Sequence, residues 1–439
     1  ANFQGNNIGL FELGNISGQK FNDVNGNGVK DGGESALQNW KIRLSGAKVD
    51  SVVTDASGNY SFNGLTVGNY NVSEDNQSGW LQTLPAGGGT YSISVQSGTN
   101  STARNFGNFQ YGIISGMKFG DANSNGVKDV GEVGLANWKI KISGAKNDSV
   151  LTDGSGNYTF TNLTAGNYTV SEVLQSGWVQ TFPLSPGTYS LSVVRGSNFS
   201  GNDFGNFQIG SISGTIFEDV NGNGVKDGGE IGIPGWRVRL SGTVVDSVLA
   251  DAGGNYSFIN LSAGTYTVSE AQQSGWLQTM PVSLGTYTLS IVSGTNHTAK
   301  DFGNFQYGSI SGKKFNDANG NGSLDNGEAG LANWKIKLSG AKRDSVLTDD
   351  NGNYSFTNLT GGNYTIGEES QSGWLQTLPA SPGTYSQTIN SGTIATAKDF
   401  GNFQYGIISG TKFNDADGDG IKDGGESGIQ NWKIKLTGT

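Results

Sequence analysis

The chain has 439 residues, 72 glycines, no cysteine, one histidine and a net charge of −10. This excludes a disulfide scaffold and argues against a nucleic-acid partner. No run of 18 apolar residues occurs, so no membrane span is expected in this segment.

The stretch Asp23-Val24-Asn25-Gly26-Asn27-Gly28-Val29-Lys30-Asp31-Gly32-Gly33-Glu34 has the spacing of a twelve-residue calcium loop. Asp23, Asn25, Asn27 and Asp31 supply oxygens at positions 1, 3, 5 and 9. Val29 offers its carbonyl at position 7, and Glu34 closes the shell at position 12. Gly28, at position 6, makes the sharp turn without a Cβ clash.

The pattern returns four times at intervals of 98 residues. The second loop uses Asp121, Asn123, Asn125, Val127, Asp129 and Glu132, and the third Asp219, Asn221, Asn223, Val225, Asp227 and Glu230. The fourth uses Asp317, Asn319, Asn321, Ser323, Asp325 and Glu328, and the fifth Asp415, Asp417, Asp419, Ile421, Asp423 and Glu426. A glycine-rich turn alone needs no carboxylates at positions 1, 9 and 12, so calcium is the expected cofactor, at one ion per loop. The fifth loop, with two aspartates in place of asparagines, is expected to bind tightest. Seventeen of the 37 acidic residues lie in these loops, and five divalent ions would offset the net charge of −10. Loops of this kind fill where calcium is near millimolar, so an extracellular location, on a cell surface or secreted, is expected.

Trp40, Trp138, Trp236, Trp334 and Trp432 keep the same interval, as do Trp80, Trp178, Trp276 and Trp374. The chain therefore divides into a closing strand of a preceding repeat (1–13), four complete repeats (14–111, 112–209, 210–307, 308–405) and the first part of a fifth (406–439). Within a repeat the apolar period is two: Trp40, Ile42 and Leu44 alternate with Lys41, Arg43 and Ser45. Seven or eight short strands with turns every 8 to 12 residues predict an all-β fold of tandem antiparallel β-sandwiches, about 98 residues each. No flexible linker separates Tyr111 from Ile113, so neighbouring repeats are expected to touch and form a rod. Because each metal loop starts seven residues after Ile16, Ile114, Ile212 or Ile310, it is expected to stiffen the junction at which its repeat begins.

Ile310-Ser311-Gly312-Lys313-Lys314-Phe315-Asn316-Asp317-Ala318-Asn319-Gly320-Asn321-Gly322 with Gly327-Glu328, Asn353-Tyr354-Ser355-Phe356 and Gln371-Ser372-Gly373-Trp374 resembles the calcium-binding B domains of serine-aspartate repeat surface adhesins. The resemblance covers every repeat. It implies a prealbumin-like β-sandwich, calcium in the loop, and a stalk on a bacterial surface or secreted protein.

Other readings rest on smaller sets. Asp50 with Asp55, and their equivalents, are either a second calcium site or ordinary hairpin chemistry. Lys20, Glu74 and Asn105 have the residue types of an internal isopeptide triad like that of collagen-adhesin B-type domains. Ile216 replaces the lysine in the third repeat, and the bond is expected to be absent. His297 has no counterpart in other repeats and is expected at the surface without a catalytic role. With no recurrent nucleophile triad, no enzyme is expected.

Two functions follow. The first is a calcium-stiffened stalk or fibre segment of a repetitive adhesin-like protein, with neighbouring repeats and other copies of itself as partners. The alternative is a carbohydrate- or protein-binding array, accessory to a secreted enzyme in one version, which requires exposed tryptophans at Trp80 and its equivalents.

Overall fold

The computed structural model describes residues 5, 8–87, 89–282 and 285–438. Part of the leading fragment 1–13 and the final residue of the fifth repeat therefore lie outside the described residues. The first complete repeat contains β1 (Gly14–Asn22), β2 (Lys41–Gly46), β3 (Asp50–Val53), β4 (Asn59–Leu65), β5 (Gly68–Glu74), β6 (Trp80–Leu84), β7 (Thr90–Val95), β8 (Asn100–Ser101) and β9 (Phe106–Gln110). The same nine strands recur in each of the next three repeats.

Each repeat is a two-sheet sandwich. One sheet runs β4-β1-β9-β6, with β8 also on β1, and the other runs β3-β2-β5-β7. Most pairings are antiparallel, but β1 lies parallel to both β8 and β9. The first and last strands of a repeat thus run side by side from its entry to its exit. This follows from end-to-end stacking: a chain that enters at one end and leaves at the other needs its terminal strands to point the same way.

The alternation in sequence becomes alternation in burial. Ile42 and Leu44 point into the core while Lys41 and Arg43 face outward. Ile16, Trp40, Phe62, Tyr70, Val72 and Phe106 fill the first sandwich.

Phe109, on the last strand of the first repeat, is fully buried within the core of the second, and Leu81 packs beside it. Phe207 and Phe305 extend the cores of the third and fourth repeats in the same way. Phe403 occupies the equivalent place before the incomplete fifth repeat and is only half-buried. In that fifth segment the described residues form no strand, only a bridge between Phe413 and Gly428, and Trp432 is exposed. Two β-strands' worth of sequence cannot cover a sandwich core on its own.

Candidate metal loops and the repeat junctions

Strand β1 delivers Asp23 to the exit end of its repeat, where the aspartate is fully buried. Its two carboxylate oxygens accept hydrogen bonds from the backbone N–H of Asn27 (3.1 Å) and Gly28 (2.7 Å), which wraps the loop around position 1. Gly28 has φ +74°, and a Cβ there would meet the carbonyl oxygen of Thr83 at 3.0 Å, so glycine is required on both counts. Glu34 closes the ring: its carboxylate accepts from the N–H of Val24 (2.8 Å) and of Asp31 (3.0 Å).

Asn25 and Asn27 both donate their side-chain amides to one oxygen of Asp31, at 2.8 Å. Positions 3, 5 and 9 therefore converge on one point. Rotating each amide about its last bond would turn its oxygen toward that point instead. The same bonds recur in the second, third and fourth loops. In the fifth loop the carboxylates of Asp415, Asp417 and Asp419 lie within 4.8 Å of one another. Like charges at this separation repel unless a cation sits among them. The donors at positions 1, 3, 5, 9 and 12 are all oxygens, which suits a hard divalent cation and no softer one.

The structure moves these loops relative to the junctions. Each was expected beside the start of its own repeat. Because β1 spans the repeat, the loop instead lies at the far end, and the first three loops lie against the repeat that follows. The carbonyl of Val24 accepts the N–H of Arg195 in the second repeat (3.1 Å). Likewise Ala122 accepts from Ser293 (3.0 Å) and Val220 from Ser391 (2.9 Å). The adjoining turn also holds the preceding last strand, through Gly196 N–H to the carbonyl of Gln110 (2.9 Å) and its counterparts at Gly294 and Gly392 (2.8 Å each). One turn of each following repeat thus grips both the metal loop and the last strand before it.

The other candidates separate. Asp50 pairs with Lys48 at 2.7 Å, whereas Asp55 caps its hairpin by accepting from the N–H of Ser57 and Asn59. These are the uses of ordinary turn chemistry, and nothing draws the two carboxylates together. Trp80 is half-buried and meets Trp40 edge-on at 5.4 Å, with the Arg195 guanidinium over its face. His297 is half-buried on the short eighth strand of its repeat and bonds the carbonyl of Ser290 at 3.0 Å.

Sequence reasoning paired Lys20 with Asn105, and the structure corrects the partner. Asn105 accepts from the N–H of Gln19 at 2.9 Å, and Asp203, Asp301 and Asp399 do the same in their repeats. An acceptor alone is needed there, which is why asparagine and aspartate interchange. The fully buried Lys20 meets Asn108, on β9, and Glu74, which reaches across from the opposite sheet. The signal was present in sequence: Phe-Gly-Asn-Phe-Gln recurs unchanged on every last strand, with a polar residue amid buried apolar ones.

The profile of the SdrD B-like domain family matches residues 12–110, 113–187, 210–302 and 308–401. Serine-aspartate repeat-containing protein F of Staphylococcus epidermidis is 29% identical over 405 residues, covering 81% of this chain and 25% of that protein. Serine-aspartate repeat-containing protein D of Staphylococcus aureus is 27% identical over 482 aligned positions, covering 97% of this chain and 35% of that protein. The chain thus spans a quarter to about a third of these relatives. Among solved structures, the Bacillus anthracis TIE protein aligns with 16% identity over 91% of this chain and 76% of its own (TM-score 0.33). BcpA, the major pilin subunit of Bacillus cereus, aligns with 12% identity over 67% of this chain and 100% of its own (TM-score 0.31).

Proposed function

We propose, for a chain that belongs to the SdrD B-like domain family, that it is a calcium-stabilised stalk or fibre segment of a repetitive bacterial surface or secreted adhesin-like protein. The observation that carries this reading is the placement of the oxygen-lined loops at the junctions, where Val24, Ala122 and Val220 bond directly to the next repeat. A divalent cation there orders the loop of one repeat and, through that loop, the orientation of the next. The stacking of Phe109, Phe207 and Phe305 into following cores supports the same mechanical role. Trp80 and its equivalents are half-buried, each edge-on against the core tryptophan of its repeat, which disfavours the binding-array alternative. Among the described residues no helix is long and apolar enough to cross a membrane.

The test is thermal unfolding of the chain after chelation and after calcium addition. Calcium should raise the melting temperature, and Glu34→Gln should remove part of that rise. A melting profile indifferent to calcium would overturn the reading.

A further inference from the structure

We propose that the first, second and fourth repeats each close on a covalent amide between the lysine of the first strand and the asparagine of the last, Lys20–Asn108, Lys118–Asn206 and Lys314–Asn402, and that the third repeat, with Ile216 in the lysine position, stays open. The inference is independent of the metal loops.

The three lysines are fully buried, and each Nζ donates to the side-chain oxygen of its asparagine. The carbonyl carbon lies one bond beyond that oxygen. A glutamate joins the pair: Glu74 Oε2 is 2.7 Å from Lys20 Nζ, while Glu74 Oε1 accepts from Asn108 Nδ2 at 2.7 Å. Glu368 bridges Lys314 (3.1 Å) and Asn402 (2.8 Å) in the same way, and Glu172 is 3.0 Å from Lys118. In the first and fourth repeats one carboxylate thus touches both the nitrogen that would attack and the nitrogen that would leave, while in the second Glu172 reaches the lysine and the buried Asn206 Nδ2 has no hydrogen-bond partner. Burial pulls each lysine down to about 8 and raises Glu74 and Glu368, which favours the neutral amine at the lysine and the protonated form at these two carboxyls.

The step balances without a co-reactant. The lone pair of Lys20 Nζ forms a C–N bond to Asn108 Cγ, and the Cγ–Nδ2 bond breaks. Glu74 takes a proton from the attacking nitrogen and delivers one to Nδ2, which leaves as ammonia. One amide replaces another, with no change of oxidation state.

In the third repeat Glu270 and Asn304 keep their 2.7 Å hydrogen bond, but Ile216, fully buried, brings no amine. The consequence is mechanical. A cross-link between first and last strands, 88 residues apart in sequence, carries a pulling force directly across the repeat and shields the residues between. Only the third of the complete repeats can then pay out its chain, by on the order of 300 Å for 98 residues at roughly 3.4 Å each.

Intact mass of the full denatured chain tests this. The expected mass is three ammonia losses below the sequence mass, with branched peptides joining Lys20 to Asn108, Lys118 to Asn206 and Lys314 to Asn402 after digestion. Glu74→Gln should leave two losses, and Ile216→Lys should give four. A wild-type mass equal to the sequence, or a branched peptide involving other residues, would overturn the proposal. Should either variant fail to fold, the wild-type mass and its branched peptides still decide the matter. Pulling single chains should show one long extension from the complete repeats, and four equal extensions would overturn it.

Discussion

Position 4 of the metal loop shows how far single residues are constrained. Gly26, Gly222, Gly320 and Gly418 all have φ near +70° to +78°, and in the second loop Ser124 takes this left-handed conformation with φ 61°. An L-residue with a Cβ is disfavoured there by about 1 kcal/mol, so Ser124→Gly should stabilise the second repeat by up to that amount in a denaturation midpoint. At position 12, Glu34→Gln keeps the volume but removes the charge that accepts from Val24 and Asp31. If the site binds with a dissociation constant near 10 µM, millimolar calcium adds about 2.7 kcal/mol to its repeat, and the variant should lose most of that increment. Calorimetry with and without chelator reads the difference. The turns and internal hydrogen bonds of these loops were legible in the sequence because aspartate, asparagine, glycine and glutamate recur there at fixed spacing. The roles of Asn108 and Asn105 were not, since which asparagine faces the lysine depends on the parallel register of Lys20 with Phe106, a contact between opposite ends of a repeat.

At the scale of the strand, the third repeat carries a buried carboxyl beside which the sequence places isoleucine instead of lysine. Glu270 closes the fifth strand of its repeat, accepts from Asn304 and interacts with Tyr256, and Ile216 stands where the other complete repeats carry a lysine. Burial pushes it up to about 7, opposed only by the hydrogen bond from Asn304. A carboxyl whose folded value lies above its unfolded one favours the folded state in its protonated form. Its contribution is therefore full below about 4.5 and is lost as pH rises through about 7. The loss is at most on the order of 3 kcal/mol. The third repeat should melt earlier at pH 8 than at pH 5, and Glu270→Gln should flatten that dependence; an unchanged slope in the variant would refute the assignment. Strand alternation revealed the sheets themselves, since Ile42 and Leu44 bury as their period requires. It could not reveal that β1 and β9 are parallel, because nothing in a period-two pattern records direction.

The whole molecule depends on what happens between repeats, and here the direction of β1 changes the expected mechanics. A loop at the start of a repeat would stiffen the junction behind it. A loop at the end, as found, would stiffen the junction ahead. The first loop bonds the second repeat through Val24 and Arg195, while the second loop bonds the third through Ala122 and Ser293. Glu34→Gln should therefore loosen the joint between the first and second repeats, and Glu132→Gln should leave that joint intact and loosen the next. The chain has no cysteine, so Ser51→Cys and Ser149→Cys, both exposed and equivalent in their repeats, provide a unique pair for spin labels. In calcium the distance distribution between them should be narrow in the parent, broad with Glu34→Gln, and narrow with Glu132→Gln. Because Phe109 remains buried in the following core, the repeats should stay joined even when the distribution broadens. Broadening by Glu132→Gln but not by Glu34→Gln would place the stiffening at the entry end and contradict the geometry. Equal narrow distributions in all three would mean that Phe109 and the Gly196–Gln110 bond hold the joint without help from the metal loop.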